Sequence, residues 1–417
     1  MSRFDVDWVR SQFPALAMKV NGFPAAFFDG PGGTQVPQRV IDAISGYLAN
    51  FNANMHGAFV TSRRSDEVIA AAHAAMANLL GCEPDEVIFG PNMTTLTFAV
   101  SRAIARDLAP GDEIVVTRLD HDANVSPWTA LEARGCVVRW VDIRPGDCTL
   151  DMEELRRSMT SRTRVIAAGY ASNSVGTIND VGEVVQLARS AGAVAYIDAV
   201  HYAPHGPIDV RDLGCDFLVC SPYKFFGPHS GVLFGKREHL RRLRPYKVRP
   251  ATESLPGRWE TGTQNHEGMA GVTAAVEYLA ELGQRHQPEA RGQRAALLAA
   301  YAAVQAYERQ LLNQLIPELL AIPGLTIYGI SEPSRFHQRV PTVALRIDGH
   351  SPRQLAEYLG ERGMFTWDGN YYALNLSERL GVEADGGMLR IGIVHYNTAE
   401  EVHRLVEALR KLARRAA

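Results

Sequence analysis

At 417 residues and 45.8 kDa, with 46% hydrophobic and 21% charged residues, the chain has ordinary globular composition and length enough for a large core and two domains. A formal net charge of −3 is too small to imply a polyanion or a membrane surface as partner, and no apolar run approaches the roughly 20 residues that cross a bilayer. The first stretch, MSRFDVDWVRSQFPAL, carries charges throughout and lacks the apolar core of a secretory signal, so a cytoplasmic protein is expected. Cysteines at 82, 136, 148, 215 and 220 are odd in number and unpatterned, which argues against a disulfide framework.

From Glu86 to Lys236, β-rich runs alternate with helical stretches. EVIFG (86–90), EIVVTRL (113–119), VVRWVDI (137–143), RVIAAGYA (164–171), AVAYIDA (193–199), FLVCS (217–221) and GVLFG (231–235) read as strands, and Val181 to Ala191 as an amphipathic helix. Apolar strands separated by helices predict a mainly parallel sheet covered on both faces, with ligands beyond the carboxyl ends of its strands. Arg241, Arg242, Arg244, Lys247 and Arg249 lack regular aromatic interleaving and read as a solvated face, so nucleic acid is not an expected partner. His266 to Leu320 is helical in character and includes a long connecting helix. After it come strands LTIYG (325–329), TVALRI (342–347) and MLRIGIVHY (388–396), a helix around Gln354–Arg362, and a last helix from Thr398. Arg410, Lys411, Arg414 and Arg415, interleaved with Leu409 and Leu412, form its wet side. The expected organisation is an N-terminal segment (1–25), a large α/β domain (26–265), and connecting helices with a small α+β domain (266–417).

The residues at the strand ends carry the chemistry. Asp198 closes an apolar strand in YIDAVH, and Lys224 stands in the turn after another in CSPYKFFGP. Pyridoxal 5′-phosphate (PLP) needs this pair: a lysine amine to form the imine, and a carboxylate to keep the pyridine nitrogen protonated. Taken singly, the aspartate reads as a turn residue and the lysine as a solvated one. Their neighbours add weight. Ser221 and Tyr223 flank the lysine with hydroxyls suited to a phosphate. GPNMTTLT (90–97) opens a helix whose backbone N–H groups near Met93 and Thr94 face an anion, or whose Asn92 or Thr94 simply caps it. His121, in RLDHDANVSPW, follows a strand and is placed to stack on a pyridine face or shuttle a proton. Asn173, in YASNSVGTIND, follows another, where its amide suits the cofactor's ring oxygen.

FFDGPGGTQVP (27–37), NMHGAFVTS, LDHDANVSPW, ASNSVGTIND, YIDAVH, SPYKFFGP, RWETGT and LRIGIVHYNT together resemble the class V aminotransferase family. More narrowly they resemble its cysteine desulfurase and selenocysteine lyase branch, over residues 25–413. The resemblance implies PLP fold type I: a large domain with a seven-stranded mainly parallel sheet plus a small α+β C-terminal domain. It implies Lys224 as the Schiff-base lysine, Asp198 as partner of the pyridine nitrogen and His121 as the stacking histidine. Asn173 would lie near the ring oxygen, with Thr94 and Ser221 on the phosphate. Thr263 resembles a residue that reaches the phosphate of the other subunit, so a homodimer with composite sites is implied. Arg390 matches the arginine that takes the substrate α-carboxylate with its planar fork.

Three departures stand out. Desulfurases carry a glutamine where this chain has His201, and a histidine where it has Tyr223. His201 changes the charge near the ring oxygen and with it the imine pKa. Desulfurases also use a small-domain cysteine as sulfur acceptor. The matching segment here is GMFTWDGNYYALNL (363–376), with Tyr372 near the expected position and no cysteine after Cys220. A phenol, with an ordinary pKa of about 10, is a poor sulfur acceptor but a usable proton donor. His56, Trp367, Asp368, Asn370 and Tyr372 are expected on the substrate side. GPGG (30–33) lacks the GK[ST] end of a nucleotide loop and reads as a turn or a close backbone approach to substrate. His201 and His205 are separated by Pro204 and are not read as metal ligands.

The expectation is an enzyme that binds an amino acid through an imine, fixes its carboxylate with Arg390, and forms an α-carbanion with Lys224 as base. The leading reading is β-elimination, a C–S or C–Se lyase without an enzyme persulfide. Transamination or epimerisation is the alternative within the enzyme class. A PLP-binding protein without turnover is the alternative outside it, and the carboxylate clamp argues against it.

Overall fold

The computed structural model describes residues 4–414, so the expectation for Arg415 lies outside the described residues. Seven strands form the large sheet: β1 (Val87–Gly90), β2 (Glu113–Thr117), β3 (Val137–Val141), β4 (Thr163–Gly169), β5 (Val194–Asp198), β6 (Phe217–Cys220) and β7 (Gly231–Gly235). Their order is β1-β7-β6-β5-β4-β2-β3, and β7 runs antiparallel to both its neighbours while the other pairings are parallel. The central strands are apolar on both faces. Ile166, Ala168, Ala195, Ile197 and Leu218 pack into one core, and the alternate residues Val165, Ala167, Tyr196, Phe217 and Val219 into another. That two-residue alternation is what a pleated strand covered on both sides requires.

Register sets the site. Asp198 lies opposite Gly169 of β4 and Val219 of β6, so the carboxyl ends of three strands finish level. Asp120, just past β2, ties in a fourth: its carboxylate accepts from Thr117 Oγ1 (2.9 Å), Gly169 N (2.9 Å) and Asn124 Nδ2 (2.8 Å). The helix α1 (Met93–Ile104) follows β1, and Asn92 caps it by accepting from Thr95 N at 2.8 Å.

Two long helices, α2 (His266–His286) and α3 (Gly292–Leu320), lead to a second, antiparallel sheet of β8 (Leu325–Tyr328), β9 (Thr342–Ile347), β10 (Trp367–Gly369) and β11 (Met388–Gly392), in the order β8-β9-β11-β10. The amphipathic helix α4 (Ala399–Ala413) buries Leu405, Leu409 and Leu412 against it. Ala26 and Phe28 join this same core, and Ala26–Phe27 pairs in parallel with Met364–Phe365. The sequence pattern missed β10, whose three residues, Trp-Asp-Gly, show no apolar alternation. Among the described residues no helix is long and apolar enough to cross a membrane, and no His/Cys/Asp/Glu group is arranged to hold a metal. Arg242 and Arg244 of the basic stretch pair with Asp107 on the surface.

Candidate active site

A cavity of about 570 Å³ opens at the carboxyl ends of the central strands. It brings together Met93, Thr94, His121, Asn173, Asp198, His201, Ser221, Tyr223, Lys224, Tyr372 and Arg390, which come from seven separate stretches of chain. Trp367, Asp368 and Asn370 also line it. His56 does not: it is exposed and paired with Asp66, Nδ1 to Oδ1 at 3.3 Å. Thr263, in the loop before α2, is likewise exposed and outside this chain's cavity.

Lys224 follows β6 in a short 3-10 turn, and its Nζ donates to the Pro31 carbonyl of the GPGG turn. Burial is the main reason its amine is brought down to about 7, and Arg390 adds to the fall while Asp198 and Asp29 oppose it. Asp198 is buried and accepts from Val200 N at 2.9 Å. Desolvation pushes its carboxyl up to about 7, since the one hydrogen bond and Lys224 only partly offset burial and the neighbouring Asp120. A carboxyl in this state ionises readily once a cationic partner is beside it.

His121 accepts the Ala123 N–H on Nδ1 at 3.0 Å, which assigns its proton to Nε2. Burial, then Lys224 and Arg390, bring its pKa down to about 4, so the imidazole is neutral near pH 7. The ring stacks on Tyr372, with centroids 5.4 Å apart and planes at 22°. Arg390, on β11, is buried. Its Nη1 donates to the Asn173 carbonyl at 2.8 Å and its Nε has no partner. Asn173 donates Nδ2 to the Tyr371 carbonyl at 2.9 Å, leaving Oδ1 unpartnered.

Sequence reasoning missed Tyr371. Its ring lies under the Arg390 guanidinium at 4.2 Å, its hydroxyl donates to the Met388 carbonyl, and its own carbonyl holds Asn173. Tyr371 and Tyr372 both take positive φ, 56° and 61°, a conformation uncommon for bulky residues. The backbone is held there because the Tyr372 carbonyl accepts from Asp122 N at 2.7 Å. The doubled tyrosine was visible, but its role was not. Asp29 was missed as well. It sits just before the GPGG turn with Oδ1 unpartnered, and burial lifts its carboxyl to about 6 against the pull of Arg390 and Lys224. The GPGG glycines answer to crowding: Trp367 packs on Gly32, and a side chain on Gly392 would strike Pro31.

The donor set fits PLP. Ser221 is buried with Oγ unpartnered, and the helix-start N–H groups of Met93 and Thr94 lie at the same cavity, which suits a phosphate. Asp198, a buried acid, and Lys224, an amine of low proton affinity, line the same cavity, and these are the two kinds of group a pyridoxal ring requires.

The model of the Aminotransferase class-V family matches residues 26–405. A cysteine desulfurase of Pectobacterium atrosepticum is 31% identical over 99% of this chain and 98% of its own. The aminotransferase-like protein FGM3 of Gibberella zeae is 31% identical over 98% of each chain. Among solved structures, the cysteine desulfurase CsdA of Escherichia coli superposes with a TM-score of 0.84 at 26% identity, covering 100% of both chains. That of Thermococcus onnurineus, at 22% identity and covering 99% of both chains, shares the fold with a TM-score of 0.87. The seven-stranded mixed sheet is that of PLP fold type I. The chain therefore belongs to the class-V aminotransferase family and is a cysteine desulfurase-like, PLP-dependent enzyme.

Proposed function

We propose that this enzyme is a β-eliminating lyase that cleaves a C–S or C–Se bond of an amino acid without forming a persulfide on its own chain. One observation supports the reading: the loop over the cavity lines it with Tyr371 and Tyr372 and carries no thiol. None of the five cysteines lines the cavity; four are buried and Cys82 is half-buried. Burial also pushes the Cys148 and Cys215 thiols up to about 12, far from a reactive thiolate.

Bound PLP supplies an electron sink for charge developing at the substrate α-carbon. The chain does the rest. Asp198, buried and freely ionisable near neutral pH, holds a proton on the ring nitrogen. Arg390 orients the α-carboxylate, since Nη1 is fixed on Asn173 and the ring of Tyr371 blocks one face of the fork. Lys224 holds the cofactor and, released, removes the α-proton, for which its lowered proton affinity suits it at pH 7–8. His121 stays neutral and packs the site rather than adding charge. Tyr372 is the proton donor to the leaving group. Met93, Thr94, Ser221 and Tyr223 take the phosphate, and Asn173 with His201 the ring-oxygen side.

The second subunit of a homodimer completes the site through Thr263, and His56 serves the partner's substrate side in the same way; both are exposed and outside their own chain's cavity, which supports this arrangement. Unpaired cysteines throughout support a reducing, cytoplasmic setting.

The test offers L-cysteine, L-cystine and L-alanine to the purified enzyme and measures pyruvate, sulfide and keto acid. Pyruvate release with no second substrate is expected. Turnover that depends on a keto-acid acceptor sinks the lyase reading.

A further inference from the structure

The turn after β5 carries two buried histidines, His201 on the ring-oxygen side and His205, which has no role in the mechanism above. Ala203 N bonds Ala199 O at 2.9 Å and His205 N bonds Tyr202 O at 2.9 Å, and this tight winding sets the rings of His201 and His205 edge to face, 5.6 Å between centroids. His201 lines the main cavity. Its Nε2 is hydrogen-bonded to Thr342 Oγ1 of β9 at 2.9 Å, so Nδ1 is the nitrogen left for the cavity. His205 lies one layer deeper. Its Nδ1 pairs with Glu308 Oε2 of α3 at 2.8 Å, with both side chains under 5% exposed. The second carboxylate oxygen of Glu308 is buried without a partner, and Glu308 and His205 both line a small separate cavity of about 40 Å³.

We propose that Thr342, His205 and Glu308 are positioning residues that act through His201 on the proton affinity of the cofactor linkage at Lys224. Thr342 pins one imidazole nitrogen. The His205–Glu308 pair pins the ring edge and sets the field behind it, and the remaining nitrogen of His201 is presented to the cavity. The inference rests on the PLP assignment.

A buried carboxylate is costly to keep unless paired, and a packing role at this position is filled more cheaply by an apolar side chain. A chain of polar groups from α3 through the turn to the cavity has a use only if the last member must hold one orientation. The surroundings of His201 require it to be neutral: it is buried, and His205, Arg390, Lys224 and His121 all face it as positive or potentially positive groups. Lys224 in turn is faced by Arg390, Asp198 and Asp29. With Nε2 held on Thr342, a neutral imidazole presents Nδ1 to the cavity as an N–H or as a lone pair according to its tautomer, whereas a flipped ring would present a C–H there. The two tautomers act on a nearby protonated nitrogen with opposite sign.

The experiment titrates the visible absorption of the holoenzyme against pH. His201→Leu gives the full displacement of the midpoint. Thr342→Val and Glu308→Gln are expected to move it in the same direction by at least about 0.5 pH unit, against about 0.2 or less for Thr342→Ser, which keeps the hydroxyl. A role in packing alone changes the melting temperature of these variants but leaves the midpoint in place. Unmoved midpoints in Thr342→Val and Glu308→Gln overturn the proposal, as does an unmoved His201→Leu. Should Glu308→Gln fail to fold, Thr342→Val against Thr342→Ser decides alone, because only a hydroxyl is exchanged. A wild-type protein with no visible band at any pH overturns the cofactor assignment itself, a result distinct from all of these.

Discussion

The lowered proton affinity of Lys224 has a direct kinetic consequence. The neutral amine is the nucleophile that attacks the cofactor aldehyde. An amine with a pKa of about 7 is about nine-tenths neutral at pH 8, whereas a lysine at the ordinary 10.4 is only about 0.4% neutral there. At equal intrinsic reactivity the site should therefore capture PLP on the order of 100-fold faster than a solvated lysine at that pH. The sign follows from the cause: burial and the Arg390 charge disfavour the ammonium, so the active form is gained as pH rises and saturates just above 7. Apo enzyme mixed with PLP in stopped flow should show an incorporation rate that climbs between pH 6 and 7 and flattens by pH 8–8.5. Arg390→Met removes one of the two causes and should carry the rise to higher pH. A wild-type rate that still grows tenfold per pH unit above 9 would refute the reasoning.

Further expectations concern the rest of the site. Ser221→Ala removes a buried hydroxyl that has no partner within the chain; losing one hydrogen bond to a charged phosphate, about 1.5–3 kcal/mol, should weaken PLP binding roughly 10- to 150-fold in equilibrium titration. Tyr371→Ala takes the ring from beneath Arg390, a contact of about 1–2 kcal/mol when desolvated, so KM for the amino acid found in the product screen should rise roughly 5- to 30-fold, and less in Tyr371→Phe. Glu113, held well down at about 2 by Arg139 with Thr160 and Arg162, should contribute stability that is full above about pH 4.3 and lost as pH falls toward 2. Urea melts of Glu113→Gln at pH 2.5, 3.5, 4.5 and 6 should lack that part of the acid slope, and an identical slope in both proteins counts against the pairing.

The large sheet was legible because its strands are continuous apolar runs ended by chemistry. Asp198, His121 and Lys224 each fall within four residues of a strand end, and that position, with their neighbours and the family resemblance, pointed to one site. What escaped was set by contacts between distant parts of the chain. The Tyr371–Tyr372 loop reaches the cavity because β10 and β11 pair, and β10 is too short and too polar to be read as a strand. His201 and Thr342 are 141 residues apart, and His205 and Glu308 are 103 apart. No local pattern announces either pair, and the resemblance that singled out His201 says nothing of Thr342, His205 or Glu308. Asp29 was hidden for another reason: its chemistry comes from burial beside Arg390 and Lys224, which a loop aspartate does not advertise.

Borohydride reduction of the holoenzyme followed by peptide mass mapping addresses the central assignment most directly. One pyridoxyl adduct per chain, on the peptide containing Lys224 and absent from Lys224→Ala, is the predicted result. An adduct carried chiefly by another lysine, or an unmodified Lys224 in protein that holds PLP, would contradict it.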